Sequence, residues 1–185
     1  MSKPMKLSNS QSLFVSPSLV TGLYTQTRTK TSTGSTSTAE GMGAVYMRAV
    51  LVPANGDDPI VASPLNLCTT DIFGCQSVDN QWGVVLDSRI QTLSQSISDC
   101  TVLVEGVSGT CEFTSVIDLI LQTASAHTFN FIFPNVGQGT YTIKVYAALG
   151  SRATVIGSGS AVGSAAFGLG SMTAESVRLV HDFLF

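Results

Sequence analysis

The sequence feature that most constrains the fold is the stretch 127–149, in which apolar and polar residues alternate on both sides of a short segment that contains two glycines. Phe129, Phe131 and Phe133 occupy every second position before this segment. The alternating apolar residues after it are Tyr141, Ile143, Val145, Ala147 and Leu149. Strict alternation is typical of half-buried strands, and two such strands around a glycine turn predict a β-hairpin. The stretch therefore predicts an all-β chain.

Further alternating segments extend this prediction along the chain. Residues 43–53 (GAVYMRAVLVP) alternate as far as Pro53, and residues 82–93 contain a second strand pattern. Residues 153–170 alternate in small side chains, which let another backbone approach closely. Many short strands separated by turn residues predict a β-sandwich, of either jelly-roll or immunoglobulin-like topology.

One segment departs from the strand pattern. Residues 114–124 (TSVIDLILQTA) contain Ser115 followed three residues later by Asp118, which resembles a helix capping box. The apolar residues recur at helical spacing, at Phe113, Val116, Ile117, Ile120 and Leu121. We expect one short helix of about three turns here, with a buried strand as the alternative, because periodicity does not separate the two for a short apolar run.

The low charge of the chain restricts its function class. Charged residues make up 11% of the 185 residues, less than half of the roughly 25% usual in soluble globular proteins. Serine and threonine, about a quarter of the chain, supply polarity instead. This composition is typical of surface and secreted β proteins and of subunits that bury much of their exterior in an assembly.

The N-terminal 40 residues are rich in threonine and predict an extended arm in front of a sandwich domain over residues 41–185. Residues 19–39 alternate, but both faces are polar, so the register of such a strand is weakly specified. We expect the arm to add to a sheet edge, including that of a neighbouring subunit; an ordinary outer strand followed by a loop over 32–43 is the alternative. The predicted subunit-interface residues are Leu23, Tyr24, Thr25, Thr27, Arg28, Thr29, Lys30, Phe183 and Phe185.

Charge is segregated along the chain, although the net charge is only −3. Residues 1–30 carry four cations and no acid, whereas residues 54–118 carry nine acids and one cation, Arg89, for a local net charge of −8. Opposite charges on separate segments favour pairing within a subunit or between neighbours, although a basic terminus is also explained by solvation alone. Nucleic acid is not an expected partner, because the arm lacks a dense basic cluster.

The four cysteines predict two short disulfide loops, Cys68 with Cys75 and Cys100 with Cys111, because each pair flanks turn residues. Each loop would contribute on the order of 2–3 kcal/mol in the chain-entropy model and so would pin a loop rather than create the fold. Buried free thiols in a reducing compartment remain the alternative. Zinc is not expected, because no cysteine lies at ligand spacing to His127 or His181.

No catalytic constellation is recognisable in the sequence. The chain has two histidines, His127 and His181, and no nucleophile-elbow or phosphate-loop motif. A calcium site would draw on Asp57, Asp58, Asp71 and Asp79, but the regular spacing of a calcium loop is missing. We therefore expect no enzyme activity, no metal and no cofactor.

Targeting features indicate an extracellular or cell-surface protein without an obvious export signal. No apolar run approaches the roughly 18 residues that a membrane span needs. The N-terminus has no continuous apolar segment before Pro17, so the given chain shows no secretory signal peptide. A virion location stays open for the same reason.

The phrase FNFIFPNVGQGTYTIKVYA at residues 129–147 resembles the late hairpin of immunoglobulin-like and related β-sandwich modules of bacterial surface proteins. The resemblance covers about a tenth of the chain. It implies a sandwich fold with a surface or structural role, and it transfers no site residue.

Together these features predict a structural subunit that self-assembles with copies of itself into an extracellular filament, appendage or coat, with both termini contacting neighbours. The alternative is an adhesin or carbohydrate-binding module, in which Trp82 and surface tyrosines would form a glycan platform.

Overall fold

The computed structural model describes residues 1–64 and 83–177, and these residues fold into antiparallel β-structure without a helix. The all-β prediction is confirmed. In chain order the strands are β1 (Ser2–Leu7), β2 (Gln11–Ser32), β3 (Ser35–Pro53), β4 (Ile60–Val61), β5 (Val84–Ile97), β6 (Thr101–Val104), β7 (Val107–Thr110), β8 (Thr114–Thr128), β9 (Phe131–Val136), β10 (Gly139–Ile156) and β11 (Gly159–Val177).

The strands form two large sheets and one small one. Sheet A has the order β1-β10-β3-β4, with β5 also paired to β3, and sheet B has the order β11-β2-β8, with β9 also paired to β2. Among the strands named above, β6 and β7 pair only with each other. Sheets A and B pack face to face, as in a sandwich, but the strand order does not confirm a jelly-roll or immunoglobulin-like topology.

Four connections pass between sheets A and B (β1–β2, β2–β3, β9–β10 and β10–β11), so these consecutive strands do not pair as hairpins, and the long ones stack as arches. Strand β2 lies in sheet B and β3 in sheet A, joined at Thr33 and Gly34; β10 and β11 are joined in the same way at Gly157 and Ser158. Both glycines have positive φ, +72° and +82°, which suits the sharp reversal. Strands β5 and β8 form a third arch through the β6–β7 hairpin.

The three arches lie side by side and define an elongated body. Strand β2 alone has 22 residues, which corresponds to a length of about 70 Å. We call the end with the arch turns and the β6–β7 hairpin the tip, and the opposite end, with β1, β4 and β9, the base. We call the part of the body between the base and the tip, which contains residues 20–32 of β2, the shaft.

The predicted hairpin over 127–149 is wrong in its pairing, although its strands and their apolar faces are correct. Strand β9 pairs with β2 in sheet B, whereas β10 pairs with β1 and β3 in sheet A. The two strands form an arch whose inner faces meet in the core. Alternation decides which face of a strand is buried, but it does not decide which strand donates the hydrogen bonds.

The predicted helix over 114–124 is also wrong. These residues belong to β8, which pairs with β2 along its whole length, from Ser18 opposite Thr128 to Ser32 opposite Thr114. Pairing with one edge of the long strand β2 satisfies the main-chain hydrogen-bonding groups of this segment as well as a helix would. This outcome agrees with the strand alternative in secondary structure, but β8 is exposed and not buried.

The predicted N-terminal arm is part of the body. Residues 1–40 form β1, β2 and the beginning of β3, and β2 is the central strand of sheet B, hydrogen bonded to β11 and β8 on its two sides. The domain boundary predicted at residue 40 therefore has no counterpart in the described residues. Four of the five buried threonines of β2 bond to partners within the chain, whereas the Thr31 hydroxyl is buried without a hydrogen-bond partner among the described residues.

The hydrophobic core fills the base. It consists of large apolar side chains from both sheets, with Phe131, Phe133, Leu13, Leu51 and Ile143 almost completely buried. In the shaft, by contrast, five of the six inward positions of β2 are threonines, and the sixth is Leu23. The buried threonines are Thr21, Thr25, Thr27, Thr29 and Thr31.

The sheets approach unusually closely in the shaft, because glycines face each other across the interior. A side chain on Gly41 or Gly43 of β3 would collide with the backbone of Val162 or Ser164 of β11, and one on Gly163 would collide with Met42. Ordinary facing sheets lie about 10 Å apart with side chains between them. The stripe of small residues that the sequence shows in β11 is therefore explained by backbone contact.

Candidate assembly surface

A ladder of polar contacts joins the two sheets inside the shaft. Thr21 donates a hydrogen bond to Asp87 (2.6 Å), Thr25 to Gln91 (2.6 Å) and Thr29 to Gln95 (3.0 Å). Each pair links β2 to β5 and is separated by 66 residues in the chain. A constant separation means that β5 lies over β2, parallel to it and in register, so the ladder sets the alignment of two arches.

Gln91 is the most completely bonded member of this ladder. Its Oε1 accepts from Thr25, and its Nε2 donates to the Thr27 hydroxyl (2.7 Å) and to the carbonyl oxygen of Leu119 (2.9 Å). The side chain is 6% exposed. Because a buried amide is costly unless it is bonded, these contacts fix β5, β2 and β8 relative to one another.

A Ser–His–Asp cluster lies at the base end of the ladder, but its geometry differs from that of a catalytic triad. Ser125 Oγ lies 2.7 Å from His127 Nε2, and Asp87 Oδ2 lies 3.4 Å from the same nitrogen. A triad needs the serine and the carboxylate on opposite ring nitrogens. Asp87 also accepts the hydrogen bond from Thr21, so the described geometry fits a polar contact between the sheets.

Because β5 lies over β2, the inner face of β8 extends beyond the cover of sheet A. Ile117, Leu119 and Leu121 point toward the plane of sheet A and remain 41%, 40% and 44% exposed. We call this exposed row the β8 ledge. Three aliphatic side chains in a row on an uncovered sheet face are unusual for a surface that meets only water.

The β8 edge also lacks the features that normally protect an edge strand. In the described part of the chain, β8 pairs with β2 on one side and with nothing on the other. Its outward face carries exposed Val116 and Ile120, and Asp118 is its only charged residue. Natural edge strands are usually interrupted by lysine, proline or a bulge. Strand β8 is long, apolar on both faces and open for pairing.

The opposite side of the shaft is a second open edge. There β11 pairs only with β2, and β10 beyond residue 145 pairs only with β3, among the described residues. The exposed apolar side chains on this side are Leu149, Val155, Ile156, Val162, Phe167 and Leu169. Each of the two sheets therefore continues to an unpaired strand on both sides of the shaft.

The structure separates the predicted interface residues into three groups. Leu23, Thr25, Thr27 and Thr29 are buried between the two sheets of the same chain and are not available for a subunit contact. Tyr24 is half-buried on the outer face and bonded to Gln26, and Arg28 and Lys30 are exposed. Phe183 and Phe185 lie outside the described residues. The polarity of β2 misled the prediction, because buried threonines bonded to Gln and Asp resemble a solvated face in sequence.

The cysteine prediction is confirmed for one pair. Cys100 and Cys111 form a disulfide with a Cα–Cα distance of 5.2 Å, and it closes the β6–β7 hairpin at the tip. The hairpin is exposed, with Val104 and Val107 at 64% and 72%. Cys68 and Cys75 lie outside the described residues.

The remaining predicted chemistry has little structural counterpart. Asp57 accepts a hydrogen bond from the Asn55 amide in an exposed turn beside a cleft of about 740 Å³, and within residues 1–64 and 83–177 no three His, Cys, Asp or Glu side chains are grouped for a metal. Asp71, Asp79, Trp82 and His181 lie outside these ranges. In the same ranges there is no helix of the length and apolarity needed to cross a membrane.

The sequence interpretation missed the β8 edge and the second edge on β10 and β11. A signal was present in residues 116–121 (VIDLIL), where five of six residues are apolar. A half-buried strand would alternate, so apolar residues on both faces require a cover on both faces. Comparison with protein-family models, with curated proteins and with solved structures finds no match to this chain.

Proposed function

We propose that the chain is a structural subunit that self-assembles into an extracellular filament, appendage or coat. The observation that carries the proposal is the β8 strand, which exposes apolar side chains on both faces and, within residues 1–64 and 83–177, leaves its main-chain groups unpaired along one edge. An edge of this kind is a template for another strand. A second copy supplies such a strand and removes the apolar surface from water at the same time.

The size of the edge supports a stable contact. Strand β8 has 15 residues, or about 50 Å of edge. With the two sheets and their side chains the side of the shaft is roughly 15 Å thick, so the face is on the order of 750 Å². A standard protein interface buries about 800 Å² on each partner. The second edge, on β10 and β11, provides a further contact that would let assembly continue beyond a pair.

Composition and compartment fit the same role. A subunit that buries its lateral edges needs few surface charges, and the chain has 11% charged residues. The Cys100–Cys111 disulfide is compatible with an oxidising, extracellular location.

The proposal is tested by measuring the mass of the protein in solution. At about 10 μM and physiological salt we expect light scattering or sedimentation velocity to give a multiple of 19.3 kDa. Leu119→Lys places a charge on the β8 ledge, which should lower the oligomer fraction at least tenfold because an inward charge blocks strand addition. Val104→Lys makes the same change on the exposed tip hairpin and is the matched control. A wild-type protein that stays monomeric at this concentration would contradict the proposal.

A further inference from the structure

We propose that two copies lie side by side with their tips in the same direction, related by a two-fold axis parallel to the shaft, so that the β8 ledge of each copy covers that of the other. This inference rests on the proposed function and specifies the partner as a second copy and the contact as β8 against β8. It follows from the stagger of the two sheets, the directions of the strands, the chemistry of the ledge and an unpaired guanidinium nitrogen.

The lateral offset of the two sheets, by which β5 lies over β2 and not over β8, determines where a strand that covers the β8 ledge must lie. The ledge residues Ile117, Leu119 and Leu121 belong to sheet B and point toward the plane of sheet A, in which β5 is the last strand on this side in the described part of the chain. A strand that covers the ledge must therefore lie next to β5 with its inner face toward β8. One strand in this position would pair with the edge of β5 and also pack its inner face on the β8 ledge.

Strand direction selects which strand of the second copy fits there. Strand β5 runs from base to tip, since Val84 lies opposite Met47 and Ile97 opposite Ser35, whereas β8 runs from tip to base. With both tips aligned, β8 of the second copy is antiparallel to β5, like every described strand pair in the molecule. Strand β10, the other candidate, would be parallel to β5, a slightly less stable pairing.

The chemistry of the inner faces favours the same choice. At the height of the ledge, β10 would offer Leu149, Ser151, Ala153 and Val155, a face with small and polar members. The β8 strand of a second copy offers the same three aliphatic side chains as the ledge. Because the two-fold axis is parallel to the shaft, each of these side chains meets its own counterpart at the same height, and apolar surface covers apolar surface.

An unpaired group at the same edge points to the same partner. Arg89 of β5 donates from Nη2 to the Thr123 hydroxyl of β8 (2.8 Å), but its Nη1 is buried and has no hydrogen-bond partner among the described residues. The two-fold axis brings Thr123 of the second copy to the same height on the other side of β5. Its hydroxyl or carbonyl oxygen is an acceptor for Nη1, and the relation is reciprocal in the two copies.

Cysteine cross-linking of the full-length protein tests this arrangement. Ile117→Cys, Leu121→Cys and Val155→Cys are made singly, treated with a short bis-maleimide without reductant, and resolved by denaturing electrophoresis, with the unmodified chain as background. We expect Ile117→Cys and Leu121→Cys each to give a covalent dimer, with at least five times the yield of Val155→Cys. A mixture of Ile117→Cys and Leu121→Cys should form no additional heterodimer, because four residues along a strand correspond to about 13 Å.

The other outcomes overturn the inference in recognisable ways. Cross-linking only between Ile117→Cys and Leu121→Cys chains would mean that the copies run in opposite directions. Cross-linking only between a ledge variant and Val155→Cys would mean a head-to-tail contact of β8 with β10. An oligomer in light scattering without a ledge cross-link would refute this inference and leave the proposed function standing, whereas a monomer would refute both.

Discussion

The base and the shaft of this molecule share strands but are stabilised in opposite ways. In the base the inner faces carry phenylalanine, leucine and isoleucine, which are almost completely buried. In the shaft most inner positions of β2 are threonines, four of which bond to Asp87, Gln91 or Gln95, while leucine and isoleucine are exposed on β8. The base therefore has an apolar core of its own, whereas the aliphatic side chains of the β8 ledge lie outside any core formed by the described residues.

The close contact of the sheets explains why threonines are buried in the shaft where large apolar residues are buried in the base. Where Gly41 and Gly43 of β3 meet the backbone of β11, the interior has no room for a leucine or phenylalanine. Short side chains fill such a narrow space, and their polar atoms must then be hydrogen bonded within it. Threonine combines a short side chain with high strand propensity, so it suits this interior.

The largest effect is expected from breaking the core of the base. Phe133→Ala removes a fully buried aromatic side chain and should lower the free energy of unfolding by about 3–5 kcal/mol. Denaturant unfolding at fixed protein concentration measures it. Phe113→Ala, at a phenylalanine that is 59% exposed, is the control and should change stability by less than about 0.5 kcal/mol. Equal losses in the two variants would show that the base core does not carry the stability assigned to it.

The next largest effect is expected where the sheets touch in the shaft. Gly43→Ala would place a Cβ atom against the Ser164 carbonyl and force the sheets apart, at a cost of about 2–3 kcal/mol. Gly22→Ala, on the outer face of β2, is the control, because its Cβ would lie 3.9 Å from the nearest atom, the Thr123 oxygen. Thermal unfolding followed by circular dichroism compares the two. If the Gly43→Ala variant is as stable as the Gly22→Ala variant, the sheets do not pack closely at Gly43.

A smaller, graded effect is expected along the polar ladder. Gln91→Ala leaves two threonine hydroxyls and the Leu119 carbonyl without their partner and should cost about 2 kcal/mol. Gln95→Ala removes a single bond to Thr29 at a half-buried position and should cost about 1 kcal/mol or less. Urea unfolding measures both. The reverse order would contradict the ladder as the element that aligns β5 with β2.

The smallest effect is expected at the tip. Among the described strands β6 and β7 pair only with each other, so replacing Cys100 and Cys111 by serine should loosen the hairpin locally. Because a hairpin that opens by itself adds little to global unfolding, the loss of global stability should be less than about 1 kcal/mol, below the roughly 2–3 kcal/mol of the chain-entropy model. Hydrogen exchange should show faster exchange over residues 98–113 and unchanged protection in β2 and β3. A loss of protection in the shaft would mean that the disulfide helps to align the arches.

Sequence reasoning recovered most strands and part of the core. The inward residues Phe131, Phe133, Ile143 and Val145 followed from alternation alone and are buried in the base. The same reasoning assigned β8 to a helix, because the apolar run 116–121 fits both periods when no partner is known. It also assigned the threonines of β2 to a subunit interface, because a polar side chain buried by Gln91 has the same sequence signature as one in water.

The amino-acid sequence by itself determined the strands with regular alternation, such as those over residues 43–53 and 141–149, and which face of each is apolar, because these properties depend on side chains at neighbouring positions. Only the tertiary structure decided that 129–147 forms an arch between two sheets, that β2 is central, and that the β8 ledge has no cover within the described residues. Strand pairing depends on main-chain hydrogen bonds between segments that are distant in the chain. Those bonds are nearly independent of side-chain identity, so the local pattern leaves the choice of partner open.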